Sequence, residues 1–138
     1  MILMLVMLLT KRNEFALQAA ILLAKNRRLM PASELARILE ASPAFISKIS
    51  QQLVRAGILR AVRGRDGGLA LARHPERIRV RDIFRAVDGP LLLAGCLAQG
   101  RCRHIDCPLF PVLGRVQGEL DKSLNDARLS AFARGGRS

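Results

Sequence analysis

A mainly α-helical fold with one small β-hairpin is what this sequence predicts, and three observations carry the expectation. Apolar residues recur at helical spacing in five separate blocks. Two of those blocks are short and lie only a three-residue turn apart. Two strand-like runs then flank the glycine-rich turn Gly64-Arg65-Asp66-Gly67-Gly68.

Taken in order, the first helix starts at Thr10, a candidate N-cap, and runs to Ala24. Phe15, Leu17, Ala20, Ile21, Leu22 and Ala24 form its apolar face, and Asn26-Arg27-Arg28 breaks the pattern. A second helix follows from about Ser33 to Leu39, with Leu35, Ile38 and Leu39 turned inward and Pro31 just ahead of it. After the turn Glu40-Ala41-Ser42 comes the third. Ser42 suits the N-cap, and Pro43 suits the first helical position, where its missing donor costs nothing. Phe45, Ile46, Ile49, Leu53 and Val54 recur at helical spacing, and Gly57 sits where a left-handed residue ends a helix. The pair describes a helix-turn-helix, although an ordinary helical hairpin has the same pattern.

The segment that follows favours the first reading. Ile58 to Arg63 and Leu69 to Arg73 are strand-like, and the glycines between them supply the positive φ of a tight hairpin. A hairpin straight after a reading helix is a wing. Arg60, Arg63 and Arg65 place positive charge where a wing meets phosphates or the minor groove. A solvated basic hairpin is the bland alternative, weakened by the charge lying beside the reading helix. Val80, Ile83, Phe84 and Val87 then mark a short helix ended by Asp88-Gly89-Pro90. Leu109, Val112, Leu113, Val116, Leu120 and Leu124 form a long stripe from about Pro108 to Asp126.

The predicted fold is therefore a winged helix-turn-helix over residues 1–90. A cysteine loop, a long C-terminal dimerisation helix and a basic tail occupy 91–138. So small a domain leaves little core to bury the stripe, and pairing with a second subunit is the economical solution. Packing back on the first helix would absorb part of it.

Charge and composition narrow the partner. Against 11 Asp+Glu the chain carries 23 Lys+Arg, a formal net charge of +12, which calls for a polyanion. Aromatics are 4% of residues, with no Trp or Tyr, which disfavours platforms that stack single-stranded bases and leaves duplex DNA. The apolar start, Met1 to Leu9, is too short for a membrane span, and Lys11 and Arg12 follow it instead of preceding it. A cytoplasmic protein with no membrane partner is expected, in which Met1 to Val6 are an extra arm or follow an upstream start, with Met7 an alternative start.

The three cysteines are an odd number confined to one short segment, not a disulfide framework. The spacing Cys96-x5-Cys102-x4-Cys107 lets three thiols converge on one soft metal centre, with Arg101 and Arg103 offsetting anionic sulfur. A cysteine-nucleophile enzyme would need a base within reach, and the only histidines are His74, ahead of Pro75, and His104. No enzymatic activity is expected.

These residues together resemble the IscR/NsrR-type family of bacterial winged-helix iron–sulfur transcriptional regulators. The resemblance is carried by Leu9-Thr10, by Ala41-Ser42-Pro43-Ala44-Phe45-Ile46 and by Leu53-Val54-Arg55-Ala56-Gly57-Ile58-Leu59. Val62-Arg63-Gly64, Gly67 to Leu71, Asp82-Ile83 and Ala86-Val87-Asp88-Gly89 follow, then the cysteines. It runs from about Met7 to Leu124. It implies a homodimeric repressor that binds a double-stranded operator and senses iron, redox state or nitric oxide through a cluster or its thiols. It also implies DNA contacts at Ser42, Ala44, Phe45, Ser47, Lys48 and Arg63, with Lys48 a guanine contact or a phosphate clamp. Some relatives carry larger polar groups at the positions of Ala44 and Ser47, so their operators do not transfer.

The implied cluster ligands are Cys96, Cys102 and Cys107. A histidine three residues after the last cysteine, used by some relatives, is replaced by Phe110. The acid that nitric-oxide sensors supply from the partner subunit's first helix corresponds to Glu14, for which pairing with Arg12 or Lys11 is the alternative. His104 is the other candidate fourth ligand. Three cysteines plus Glu14 favour a [4Fe–4S] over a [2Fe–2S] cluster bridging the dimer. Three cysteines plus His104 also describe a structural Zn site, and a metal-free thiol redox regulator has the same fold.

Overall fold

The first helix, α1 (Lys11–Asn26), is the central post of the molecule, and its alanines make that possible. The computed structural model describes residues 9–100 and 106–133; Met1 to Leu8, the segment 101–105 with Cys102 and His104, and the tail from Arg134 lie outside them. As expected, Thr10 caps α1, its hydroxyl accepting from the Asn13 N–H at 3.1 Å. The buried face differs from the one read in the sequence. Asn13, Ala16, Ala19, Ala20, Leu23 and Ala24 are buried, while Phe15, Leu17, Ile21 and Leu22 are half-buried. Neighbours meet α1 on several sides, so close approach falls to small side chains and the larger ones fill the rim.

The helix α2 (Ala32–Leu39) buries Leu35 and Ala36, but Ile38, expected inward, is 40% exposed. Eight residues make about two turns, and the contact with α3 (Pro43–Arg55) is centred on the buried pair. On α3, Ile46, Ile49 and Leu53 are buried, and the Ser42 hydroxyl accepts from the Phe45 N–H at 3.1 Å. Gly57 follows the helix at φ +78°, the left-handed turn that its position implied.

The strands β1 (Leu59–Val62) and β2 (Gly68–Leu71) pair antiparallel, with Leu59 opposite Leu71 and Val62 opposite Gly68. Met30 adds a short third rung, donating to Leu69 O at 2.9 Å and accepting from Leu69 N at 2.8 Å. Gly68, at φ +150°, is what lets this happen: a Cβ there would stand 2.7 Å from the Met30 carbonyl carbon. A single 3-10 turn at Pro75–Arg77, capped by the His74 ring, leads to α4 (Val80–Asp88). Val80, Ile83, Phe84 and Val87 are buried on it, as the periodicity required.

Beyond α4 come the one-turn α5 (Cys96–Gln99), the long α6 (Phe110–Asp126) and a terminal turn α7 (Ser130–Ala133). The chain then returns to its beginning. Val80 N donates to Ala127 O and Leu129 N to Ile78 O, both at 2.9 Å, and Leu129 is fully buried in the same core as Leu35 and Ile49. The α6 stripe divides in two. Leu113, Gln117, Leu120 and Leu124 are wholly or partly covered, on a helix that packs against α4 and α5. Leu109, Val112 and Val116 stand 54%, 42% and 44% exposed. No helix among the described residues is long and apolar enough to cross a membrane.

Candidate DNA-reading surface and cysteine loop

Once Ile46, Ile49 and Leu53 are buried, helical geometry dictates what the opposite side of α3 presents. Ala44, Lys48, Gln51 and Arg55 recur at spacings of four, three and four and are all exposed, giving one polar, basic face. Lys48 was legible as a candidate. Gln51 and Arg55 were not singled out, although the complement of the apolar pattern contains them. Ser42 and Ala44 are exposed at the start of this face, and Ser47 is half-buried toward the hairpin. Phe45 is held differently: its ring meets Phe15 edge-to-face at a centroid distance of 5.5 Å, fixing the start of α3 against α1.

The hairpin lies beside this face. An open groove of about 450 Å³ separates them, lined by Ser47, Gln51, Val54 and Arg55 on α3 and by Ala61 and Val62 on β1. Arg63 and Arg65 are exposed at the tip, where Gly67 N donates to Gly64 O at 3.1 Å; the tip joins the Val62 and Gly68 ends of the strands that line the groove. Arg60 is not part of that grouping. It lines a separate cleft with Arg27, Arg28 and Arg73.

The cysteine loop is organised by a residue that sequence reading passed over. Gln117 is 7% exposed; it accepts from Leu93 N at 2.8 Å and donates to Leu91 O at 2.8 Å and to Asp121 at 3.0 Å. It therefore pins the approach to Cys96 onto α6. The available signal was a glutamine within an otherwise apolar stripe. Cys96 opens α5 and Cys107 precedes α6; both are free, half-buried thiols. Cys102 and His104 lie outside the described residues, and among those described no three His, Cys, Asp or Glu side chains are grouped to hold a metal.

The segment pinned by Gln117 faces the start of α1 across a cleft of about 460 Å³, lined by Thr10, Asn13, Asp88 and residues 89–95. Asn13 is 1% exposed, and its Oδ1 has no hydrogen-bond partner among the described residues. Glu14 is half-buried on the same turn of α1. It makes no ion pair among the described residues: of Arg12 and Lys11, the partners considered for it, Arg12 goes elsewhere and Lys11 forms no ion pair there either. The Arg12 guanidinium donates to Gln52 Oε1 at 2.9 Å and to Val87 O at 3.0 Å, and pairs with Asp88 at 3.6 Å. Thr10 donates to Asp88 as well. The end of α4, the start of α1 and the middle of α3 thus share one polar junction.

The family model described as Rrf2, iron-dependent transcriptional regulator, matches residues 9–135. A relative from Rhizobium meliloti, protein aau3, is 36% identical over 120 residues, spanning 86% of this chain and 75% of that protein. An rrf2-like HTH-type regulator from Rhodobacter capsulatus is 27% identical over 104 residues, 72% of this chain and 69% of its own. Among solved structures, the Bacillus subtilis cysteine regulator CymR superposes with a TM-score of 0.77 at 21% identity, covering 90% of this chain and 94% of its own. The T. potens IscR gives 0.71 at 22%, covering 93% and 87%. These last two likenesses show the fold, a winged helix. The matched family and the Rhodobacter capsulatus relative are described as transcriptional regulators, not enzymes, and this chain belongs to the Rrf2 family of DNA-binding transcriptional regulators.

Proposed function

We propose that this protein is a homodimeric, cytoplasmic repressor whose operator affinity is set by an iron–sulfur cluster on the three-cysteine loop. The observation that carries the regulatory part is the position of Cys96. It follows directly from the segment that Gln117 fixes on α6 and that closes a cleft against α1. Dimerisation through α6 accounts for Leu109, Val112 and Val116, an apolar row left exposed on one subunit. On the DNA side, Ser42, Ala44, Ser47 and Lys48 face the major groove, with Gln51 and Arg55 extending the contact. Arg63 and Arg65 reach the backbone or the minor groove.

Cysteine sulfur is a soft donor suited to iron, Cys96 and Cys107 are half-buried, and the family description and the IscR likeness point the same way. Cys96, Cys102 and Cys107 would hold the cluster, with Glu14 of the partner subunit or His104 as the fourth ligand; [4Fe–4S] is the form that Glu14 favours. When bound, the cluster supplies an iron centre open to oxidation or nitric oxide. The chain's own residues do the rest: Gln117 holds the loop's approach, and Arg12 links the start of α1 to α3.

A second reading rests on the two described thiols being free, and on the likeness to CymR, whose Staphylococcus aureus form has been solved oxidised, with a TM-score of 0.75. In that reading the thiols respond without metal, or zinc holds the loop. One measurement separates them: a visible spectrum with iron, sulfide and zinc analysis on protein purified without oxygen. Iron and sulfide with broad visible absorption support the cluster, and Glu14→Ala and His104→Ala then identify the fourth ligand. Colourless protein, with zinc or with no metal after reconstitution, refutes the cluster and leaves the DNA-binding surface untouched.

A further inference from the structure

Much of the positive charge does not lie beside the reading helix. Strand alternation sends Ala61 toward α3 and Arg60 to the opposite face of the hairpin. There a cleft of about 330 Å³ is walled by Arg27, Arg28, Arg60 and Arg73, and among the described residues no acid lines it. Arg28 is shared with Glu34 outside the cleft, which it contacts through both terminal nitrogens. Arg73 is held in place by donating to Gly57 O at 3.2 Å and to Arg77 O at 3.4 Å. Arg27 and Arg60 have no ion-pair partner among the described residues. Arg27 also occupies the left-handed position at the end of α1, φ +53°, where glycine or asparagine is usual. Guanidinium groups gathered without acids repel one another until an anion lies between them, and their planar forks match phosphate oxygens. Apart from His74, the rest of the lining is apolar and includes Leu71 and Pro75.

We infer that this cleft binds a small phosphate ester. The phosphate sits among Arg27, Arg60 and Arg73, and the organic part covers Leu71 and Pro75. The site lies against β2, the strand that carries the wing back to the core, and among the described residues none of the cysteine loop lines it. Calorimetric titration of the full chain with AMP and, separately, with inorganic phosphate tests it. AMP saturates one site per chain and binds at least about tenfold more tightly than phosphate. Arg27→Gln and Arg60→Gln each weaken it by about tenfold, equivalent to about 1.4 kcal/mol. Arg63→Gln and Arg65→Gln leave it unchanged, and Arg27→Gln and Arg60→Gln leave the salt dependence of duplex binding unchanged. Both arginines are exposed, so their variants keep the fold, which an unchanged unfolding midpoint verifies. Equal weakening by Arg63→Gln would reduce the effect to diffuse charge. AMP binding no tighter than phosphate means an adventitious ion only. A shallower salt dependence in Arg27→Gln or Arg60→Gln makes the cleft part of the DNA surface. Any of these three results overturns the assignment.

Discussion

Replacing Arg12 by methionine tests whether the reading helix is mechanically tied to the cysteine-loop side of the molecule. The guanidinium makes two hydrogen bonds of 2.9 and 3.0 Å, to Gln52 Oε1 and to Val87 O, and an ion pair of 3.6 Å with Asp88. A hydrogen bond from a charged donor contributes roughly 1.5–3 kcal/mol when buried. This side chain is 36% exposed, so solvent screens it, and the Asp88 pair contributes only about 0.5 kcal/mol. Val87 O keeps the weaker donation from Gln52 Nε2 at 3.4 Å, which softens the loss. The net expectation for Arg12→Met is about 2 kcal/mol. With a urea slope of about 2 kcal/mol/M for a domain of this size, the midpoint falls by about 1 M. Gln52→Met removes the same contact from the α3 side. Equilibrium unfolding of the two single variants and the double variant, at one fixed protein concentration, closes a double-mutant cycle. A coupling of about 1 kcal/mol is expected. Additivity within about 0.3 kcal/mol would refute the link between α1 and α3, whatever the single variants do.

The other expectations concern the wing and the dimer. Gly68→Ala drives a Cβ to 2.7 Å from the Met30 backbone at a φ of +150°, so unfolding free energy falls by more than about 3 kcal/mol; a midpoint like the parent's would mean the Met30–Leu69 rung is not needed. Arg63→Gln and Arg65→Gln each flatten the log–log salt dependence of duplex binding by about 0.9, one phosphate's share, and an unchanged slope removes that arginine from the interface. Val116→Asp puts a carboxylate into the exposed α6 row and raises the dimer dissociation constant at least about hundredfold, read by sedimentation; an unaltered dimer places the contact elsewhere.

The helices and hairpin were legible because each carried its own local signal. Ser42-Pro43 marked the start of α3 by capping chemistry, and Gly57, Gly64 and Gly68 marked turns that require positive φ. Which face of each helix is buried was less legible, because hydrophobicity alone does not say how many neighbours a helix has. On α1 the large residues Phe15, Leu17 and Ile21 looked like the core, yet a helix touched from many sides buries its alanines. On α6 a single stripe was read where there are two faces, since nothing local distinguishes a leucine facing α4 from a valine facing outward. The polar members of the site were hardest to see. Gln52 and Gln117 matter through partners 24 to 40 residues distant and Asn13 through its place against residues 89–95, and sequence spacing does not encode such pairings.

Those same three residues show how the two halves of the protein can act on each other. Among the described residues α3 does not pack substantially against α5 or α6, which flank the cysteine loop; what joins them is a short series of polar hand-offs. Gln117 fixes residues 91 and 93 to α6, so the segment entering Cys96 cannot move without breaking two hydrogen bonds of 2.8 Å. That segment forms one wall of the cleft against Thr10 and Asn13, and Asp88 at its other end accepts from Thr10 and pairs with Arg12. Arg12 then reaches Gln52, one turn along α3 from Lys48. A rearrangement of the loop that draws the segment away from α1 exposes an already unpartnered Asn13 Oδ1 and loosens Asp88, and Arg12 then loses one of the groups that orient it. Closely packed interiors respond to such a loss by adopting another discrete arrangement instead of bending by degrees. The first element to feel it is the one whose exposed face carries Lys48, Gln51 and Arg55.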